Sequence, residues 1–233
     1  MEVNKKVLFI KDWILNYVNS MPVKAQSLVI GISGGIDSSV TSTLCAMTGL
    51  KTIVLTMPIK QNKEQNDLSL KHKKWLSSKF KNVETHTLEL DNIFKNFENT
   101  LSNFKNEHGL ANSRARLRMA TLYQVASANK GIVVGTGNKV EDFGVGFYTK
   151  YGDGGVDISP IADCTKTDVW ELGKELKIIQ EIIDANPTDG LWDDGRTDEN
   201  QLGLSYKEVE DAMDNPNSTN YEKYIKIRKS NLH

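Results

Sequence analysis

Short runs of β-branched and apolar residues alternate with longer stretches of helical periodicity over more than half of the chain. The strand-like runs lie near residues 27–32, 52–56, 83–88 and 131–135, and the helical patterns cover 37–48, 63–81, 91–107 and 112–129. This alternation is typical of βαβ units, whose parallel strands form a sheet between helices. We therefore expect an α/β fold with an open, mostly parallel sheet and helices on both faces.

Length and composition narrow the class of protein. The chain has 233 residues, 39% hydrophobic residues and a net charge of -1, which fits one domain over 1–233. Two cysteines, Cys45 and Cys164, make neither a disulfide framework nor a zinc cluster, so we expect a reduced, cytoplasmic setting. The near-neutral charge argues against a nucleic-acid partner, and no apolar run is long enough for a membrane span.

A glycine- and serine-rich loop, GISGGIDSS, follows the first strand run and precedes the first helical pattern. Backbone N–H groups at such a helix start suit a phosphate, although the loop is not a Walker A motif. Asp37 would be repelled by a phosphate unless a divalent cation lies between them, and we therefore expect Asp37 to bind Mg²⁺. The predicted phosphate-binding residues are Gly31, Ile32, Ser33, Gly34, Gly35, Ile36, Asp37 and Ser38.

Further segments resemble a known family from about residue 7 to the C-terminus. They are SRARLRM (113–119), GTGNKVE (135–141), FYTKYGDGGVDISP (147–160), TKTDV (165–169), NPTDGLW (186–192) and TDENQLGLSY (197–206). Together they are similar to the ammonia-dependent NAD synthetases, members of the N-type ATP pyrophosphatases. This resemblance implies a Rossmann-like, three-layer fold of the adenine nucleotide alpha hydrolase type.

The resemblance also implies a reaction. It is an ATP- and Mg²⁺-dependent ligase reaction that amidates deamido-NAD to NAD with ammonia. The reaction passes through an acyl adenylate and releases AMP and pyrophosphate.

Residues for ATP and metal follow from the same matches. The resemblance implies that Glu141 is a second magnesium carboxylate, with neighbouring Asp142 as a competing candidate. The further positions that match ATP contacts are Met57, Thr136, Lys166 and Thr188. A lysine in the first turn of a helix is able to reach a phosphate, and Met57 is an equally good candidate for closing the core.

For deamido-NAD, the resemblance implies binding by Arg116, Lys150, Asp157 and the final residue, His233. We expect Asp153, in the YGDGG segment, to bind ammonium and assist its deprotonation. The alternative for Asp153 is that it and the adjacent glycines only shape a turn.

The resemblance carries expectations about nitrogen source and assembly. Motifs of the synthetase fill the chain, so we expect no glutaminase domain and the use of free ammonia. A homodimer is implied, with the helices at 91–107 and 112–129 as its candidate contact. The acidic segment at 189–200 is a candidate lid over ATP.

Two alternative functions remain open from the residues. The phosphate loop also fits a GMP synthetase-like or tRNA-thiolating ATP pyrophosphatase, although the lysines between residues 60 and 81 are better explained as a solvated helix face. A non-catalytic nucleotide-binding module is the other alternative. Retention of Asp37, Glu141 and Lys166 favours an enzyme.

Overall fold

A four-stranded parallel sheet forms the centre of the protein. The structure is a computed structural model, and it describes residues 1–61, 63–187 and 197–231. The strands are β1 (Ser27–Gly31), β2 (Lys51–Thr56), β3 (Val83–Thr87) and β4 (Gly131–Val133), in the order β3-β2-β1-β4. All three strand pairs are parallel, so the predicted parallel α/β sheet is confirmed.

Helices connect the strands and continue after the last one. They are α1 (Val3–Ser20), α2 (Ile36–Met47), α3 (Lys63–Lys79), α4 (Asp91–Thr100), α5 (Glu107–Ala128), α6 (Lys166–Glu175), α7 (Gln180–Ile183), α8 (Asp198–Leu202), α9 (Tyr206–Asp214) and α10 (Tyr221–Asn231). A π-helical segment, Lys139–Val145, lies between β4 and α6. None of the helices in the described ranges is long and apolar enough to cross a membrane.

Side chains of β1 point alternately to the two faces of the sheet, and both faces are covered, so the strand is buried along nearly its whole length. Leu28 and Ile30 pack in the core cluster that contains residues of α1, α2 and α6, whereas Val29 packs in the opposite cluster with residues of α4 and α5. Successive side chains therefore enter two different cores. Helices cover both faces of the sheet, as the sequence predicts.

The strand order creates a crevice at one point of the sheet. From β1 the chain moves to β2 on one side, while β4 pairs with β1 on the other side. In open parallel sheets, ligands bind outside the carboxyl ends of the strands at such a switch point. The loops after β1 and β4 meet there, and they carry Asp37 and Glu141.

Two helix boundaries differ from the sequence prediction. The pattern at 91–107 ends as α-helix at Thr100 and continues into a short 3₁₀ turn, Ser102–Phe104. The next helix begins at Glu107, five residues before the predicted start at 112. Asn106 explains this start, because its side chain caps the helix by accepting a hydrogen bond from the Gly109 N–H.

A third apolar cluster holds the C-terminal helices against the π-helical segment. Val140 and Val145 are fully buried there against α8, α9 and α10, together with Tyr206 and Val209. The sequence predicts peripheral helices in this region. The structure instead packs them behind the segment that presents Glu141.

A buried histidine makes the packing of α3 on α2 sensitive to acid. His72 has no exposed surface, and its Nε2 lies 2.9 Å from Ser42 Oγ. Burial lowers the pKa of His72 from 6.5 to about 4. Between these two values the unfolded chain binds a proton that the folded protein does not, so stability decreases as the pH falls through this window.

Because of this histidine, we expect the free energy of unfolding to fall by about 3 kcal/mol when the pH is lowered from about 7 to about 4. Urea unfolding at a series of pH values would measure the loss. The variant His72→Gln keeps a hydrogen-bonding group beside Ser42 and should have a shallower pH dependence. The control, His86→Gln, changes an exposed histidine, and equal slopes for wild type and His72→Gln would contradict the expectation.

Candidate active site

The phosphate loop joins β1 to α2 through a turn that requires glycine. Gly34 has φ +96°, and a Cβ there would lie 2.5 Å from the carbonyl oxygen of Gln65 in α3. Within the loop, the Ser33 N–H donates to Ser38 Oγ at 3.2 Å and the Gly35 N–H donates to Ser33 Oγ at 3.2 Å. These contacts within the loop and the glycine turn fix its shape, with the α2 N-terminus at its end.

A lysine bridges two carboxylates beside this loop. Lys166 Nζ lies 2.6 Å from Asp37 Oδ2 and 2.8 Å from Glu141 Oε1. Lys166 is 2% exposed and each carboxylate is 17% exposed, so water screens the three charges poorly. Three predicted site residues, from α2, the π-helical segment and α6, therefore meet at one point.

Local helix starts explain how these side chains are aimed. Lys166 is the first residue of α6, where Thr165 and Asp168 form a capping box. Asn138 accepts hydrogen bonds from the N–H groups of Val140 and Glu141, and its Nδ2 donates to Asp37 Oδ1 at 2.9 Å. Asn138 therefore fixes the start of the π-helical segment and one oxygen of Asp37 together.

Two residues that the sequence analysis did not assign complete the cluster. The Tyr206 hydroxyl lies 2.7 Å from Glu141 Oε1 and 3.0 Å from Asp198 Oδ2, and Lys166 Nζ lies 5.0 Å from the centre of the Tyr206 ring. Tyr206 is 1% exposed. The sequence signals for it are its place at the end of TDENQLGLSY, a segment that resembles the family, and an aromatic residue at a helix start, directly after the capping residue Ser205.

The pKa directions follow from burial and from the shared lysine. Burial raises the pKa of Asp37, although Lys166 acts in the opposite direction. For Glu141 burial also acts upward, but the charge and hydrogen bond of Lys166 outweigh it and the pKa is lowered. Burial, followed by the charges of Glu141 and Asp198, raises the pKa of Tyr206 above its ordinary value, so its hydroxyl stays protonated.

The cluster fits Mg²⁺ in its donor chemistry. Asp37 and Glu141 offer carboxylate oxygens that converge on a single ammonium group, and Mg²⁺ prefers oxygen ligands. No group of three or more His, Cys, Asp or Glu in the described ranges is arranged as a complete metal site. Mg²⁺ usually keeps several waters and binds substrate phosphates, so two protein carboxylates beside a phosphate loop suffice.

A cavity of about 620 Å³ opens in front of this cluster. Of the residues that the sequence predicts for ATP, metal or catalysis, those that line the cavity are Gly31, Ile32, Ser33, Gly34, Gly35, Ile36, Asp37, Ser38, Met57, Thr136, Glu141, Asp153 and Lys166. Met57 is also buried in the core cluster that contains Phe94, so it closes the core at the cavity wall, and its contact with ATP stays a prediction.

The YGDGG segment forms a tight turn at the cavity wall. A Cβ on Gly152 would lie 2.8 Å from the Cβ of Ala115 in α5, and Asp153 Oδ1 accepts a hydrogen bond from the Thr149 N–H at 3.0 Å. Asp142 lines the same cavity. Burial, followed by the charges of Asp153, Glu141 and Asp37, raises the pKa of Asp142 to about 7.

The predicted substrate residues lie outside this cavity lining, along α5. Arg116 is exposed, and its Nε donates to the carbonyl of Lys150 at 3.2 Å. Asp157 accepts hydrogen bonds from the Tyr123 hydroxyl at 3.0 Å and the Val133 N–H at 2.7 Å. Arg116 and Lys150 therefore contact each other, while Asp157 contacts α5 seven positions further along, at Tyr123, and the role of all three in binding stays a prediction.

Arg118, which the sequence analysis did not select, lines the cavity instead. Its Nε donates to the carbonyl of Met57 at 3.0 Å. Burial, followed by the positive charge of Arg114, lowers the pKa of Arg118 to about 10, so it remains charged at neutral pH. The alternating arginines at 114, 116 and 118 gave no signal for which one faces the cavity.

Three predictions lie outside the described residues. Thr188 and His233 belong to this group. So does the acidic candidate lid at 189–200, except for residues 197–200, which lead into and begin α8.

Comparison with known proteins identifies the family. A family model described as NAD synthase matches residues 6–231. An NH(3)-dependent NAD(+) synthetase from Methanosarcina acetivorans is 38% identical over 86% of this chain and 78% of its own length. The enzyme of that name from Finegoldia magna is 37% identical over 94% of this chain and 88% of its own length.

A solved structure agrees with this match over the whole fold. The structure of NMN synthetase from Francisella tularensis superposes with a TM-score of 0.91 and 32% identity, over 100% of this chain and 95% of that one. Its similarity covers both the sheet and the C-terminal helices around the cavity. Sequence, fold and site thus agree that the chain belongs to the NAD synthase family.

Proposed function

We propose that this protein catalyses the ATP-dependent amidation of deamido-NAD to NAD with ammonia. Relatives that are NH(3)-dependent NAD(+) synthetases support this activity. The observation that carries it is the Asp37–Lys166–Glu141 cluster, which joins the phosphate loop to the loop after β4. Such a cluster combines an ammonium group with two carboxylates that are able to bind Mg²⁺, and both cations would neutralise the charge that develops when pyrophosphate leaves ATP.

The first step activates the substrate carboxylate. An oxygen of the nicotinate carboxylate attacks the α-phosphorus of ATP, and the bond from that phosphorus to the bridging oxygen of the β-phosphate breaks. The phosphate loop and the α2 N-terminus hold the phosphates, and Lys166 places a positive charge where pyrophosphate gains charge. Mg²⁺, held by Asp37 and Glu141, would neutralise further phosphate charge when bound.

The second step forms the amide. Ammonia attacks the carbonyl carbon of the adenylate, the bond from that carbon to the bridging oxygen breaks, and AMP leaves. Ammonium must lose a proton before it attacks, and Asp153 is our candidate for binding it. Its position on the cavity wall, near Asp142, supports this role.

We expect Asp153→Asn to slow amidation by about 10²- to 10⁴-fold while adenylate formation changes far less. Asparagine keeps an oxygen that is able to accept from the Thr149 N–H, so the turn should survive. Amide formation and ATP–pyrophosphate exchange would be measured side by side. An equal loss in both assays would leave Asp153 with a structural role only.

The surface along α5 suits the second half of a dinucleotide. Arg116, Lys150 and Asp157 lie outside the cavity. The nicotinate half of deamido-NAD would bind in the cavity, and its AMP half would extend from there towards these residues. We propose a homodimer in which a partner covers this surface, with α4 and α5 as the contact. Exposed Ile93, Phe97 and Phe104 beside this surface support that contact.

Three further proposals concern the setting of the reaction. Free ammonia is the nitrogen source, since the relatives are named for it. The catalytic unit is a synthetase domain that uses ammonium directly, and a comparison of turnover with ammonium and with glutamine tests this. The enzyme works in the cytoplasm, in keeping with two buried cysteines that are not joined to each other.

One comparison favours a second candidate substrate. The superposed structure with a TM-score of 0.91 is an NMN synthetase. The same chemistry applied to nicotinic acid mononucleotide gives NMN, and this smaller substrate would not need the α5 surface. Both activities use the same cluster and cavity.

A panel of substrates separates these functions. We would measure pyrophosphate and amide product with ATP, Mg²⁺ and ammonium, using deamido-NAD, nicotinic acid mononucleotide, xanthosine monophosphate and aspartate in turn. The main proposal requires kcat/KM to be highest for deamido-NAD. A higher value for the mononucleotide would establish the second candidate, and turnover of the last two alone would refute both.

A further inference from the structure

The phenol of Tyr206 contacts the same oxygen of Glu141 that Lys166 contacts. Glu141 Oε1 receives the Tyr206 hydroxyl at 2.7 Å and the Lys166 ammonium at 2.8 Å. One carboxylate oxygen is therefore held between two donors, from α9 and α6. A carboxylate held in this way has little freedom to rotate away from the cavity.

The same ring also contacts the lysine. Lys166 Nζ lies 5.0 Å from the ring centre of Tyr206, within the range of a cation–π interaction. Tyr206 thus contacts both members of the Glu141–Lys166 ion pair with different parts of one side chain. Its own position is fixed by Asp198, whose Oδ2 lies 3.0 Å from the hydroxyl, and by the Trp170 ring at 5.8 Å.

The hydroxyl has no access to a ligand in the cavity. Tyr206 is 1% exposed and does not belong to the cavity lining, whereas Glu141, Lys166 and Asp198 do. Any effect of the phenol on the reaction must therefore pass through the residues that it orients. Outer partners of this kind commonly alter metal affinity or activity by about 10- to 100-fold.

We propose that Tyr206 is a positioning residue that holds Glu141 in the arrangement that receives a divalent cation bound to the phosphates of ATP. This inference rests on the proposed function for the identity of the nucleotide. It adds a residue from the C-terminal apolar cluster to the machinery. The packing of α9 thereby becomes part of the metal and phosphate site.

Removing a single oxygen tests the proposal. We expect Tyr206→Phe to weaken binding of ATP in the presence of Mg²⁺ by about 10-fold, measured by titration calorimetry without the pyridine nucleotide. Binding of ATP in EDTA should change by less than about twofold, since the phosphate loop itself is intact. The apparent activation constant for Mg²⁺ should rise in parallel, while KM for ammonium stays constant.

A matched control removes the phenolic oxygen of another tyrosine in the C-terminal apolar cluster. Tyr224 is buried in the C-terminal apolar cluster with Tyr206. Tyr224→Phe should leave ATP binding unchanged both with and without Mg²⁺. If Tyr206→Phe binds ATP with Mg²⁺ as tightly as wild type, or loses affinity equally with and without the cation, the positioning role is refuted.

A second variant covers the case in which Tyr206→Phe does not fold. Trp170→Leu removes the ring that packs edge-on against Tyr206 at 5.8 Å, leaves the phenol, Glu141 and Lys166 in place and lies outside the cavity lining, and it should weaken Mg²⁺-dependent ATP binding in the same direction. No change in this variant would contradict the proposal. Failure of wild type to form amide, with intact Mg²⁺-dependent differences between variants, would refute the proposed function and leave this inference standing.

Discussion

Replacing Lys166 by methionine is expected to destabilise the protein by about 3–5 kcal/mol and to abolish measurable turnover. The substitution removes the ammonium that lies 2.6 Å from Asp37 and 2.8 Å from Glu141. Two poorly solvated carboxylates would then face each other without a counter-charge. Urea unfolding in EDTA measures the first effect, and pyrophosphate release measures the second.

The stability loss of the Lys166→Met variant should depend on pH. Without the ammonium, the carboxylates would bind protons more readily in the folded state than in the unfolded chain, so the loss in stability should shrink as the pH falls. Lys174, an exposed lysine in the same helix, provides the control through Lys174→Met. Equal stability of both variants at about pH 8 would show that the cluster contributes nothing to the fold.

The second large effect separates activity from stability. Asp37→Asn should lower kcat by at least about 10²- to 10³-fold, because it removes a charge that holds the metal and phosphates. Burial disfavours the ionised Asp37 and raises its pKa above the ordinary value. Asp37→Asn relieves this unfavourable burial but gives up the ion pair with Lys166 at 2.6 Å, so its unfolding free energy in EDTA should fall by less than that of Lys166→Met, which leaves both carboxylates unpaired.

Glu141→Gln should behave differently. The pKa of Glu141 is lowered, since the attraction of Lys166 outweighs burial. Its ionised form therefore stabilises the fold, and Glu141→Gln should reduce both activity and stability. Paired urea and turnover measurements would check the contrast, and a stability loss in Asp37→Asn as large as that of Lys166→Met would contradict it.

The parts of this site that the sequence predicts are those with a local signature. The phosphate loop is recognisable because glycines, serines and a helix start lie within nine residues of each other. Lys166, by contrast, is assigned through the family resemblance, because a lysine in the first turn of a helix would by itself be interpreted as a solvated side chain. For the phosphate loop a short stretch of chain fixes the geometry, so its glycines and the helix start suffice to find it.

The contacts that bring these parts together were not predictable in the same way. Asp37 and Lys166 are separated by 129 positions, and Tyr206 follows Glu141 by 65. Their meeting depends on the strand order, on the π-helical segment and on how α9 packs behind it. No local pattern encodes such contacts, so the sequence assigns no role to Tyr206, although the residue ends a segment that resembles the family.

The arginines of α5 illustrate the same limit. Arg116 and Arg118 are two positions apart on a helix, so they point in different directions. The family resemblance selects Arg116, whereas the cavity is lined by Arg118. Which of them faces solvent depends on how α5 packs on the sheet, and Met57 decides it by accepting the hydrogen bond from Arg118.

Transfer of ¹⁸O from the substrate carboxylate to AMP tests the proposed activation most directly. Deamido-NAD labelled in both carboxylate oxygens would be converted with unlabelled ATP, Mg²⁺ and ammonium, and the products analysed by mass spectrometry. Attack of the carboxylate on the α-phosphorus requires one labelled oxygen in AMP for each amide formed, and none in pyrophosphate. Amide formed without label in AMP would contradict an acyl adenylate and, with it, the role assigned to the Asp37–Lys166–Glu141 cluster.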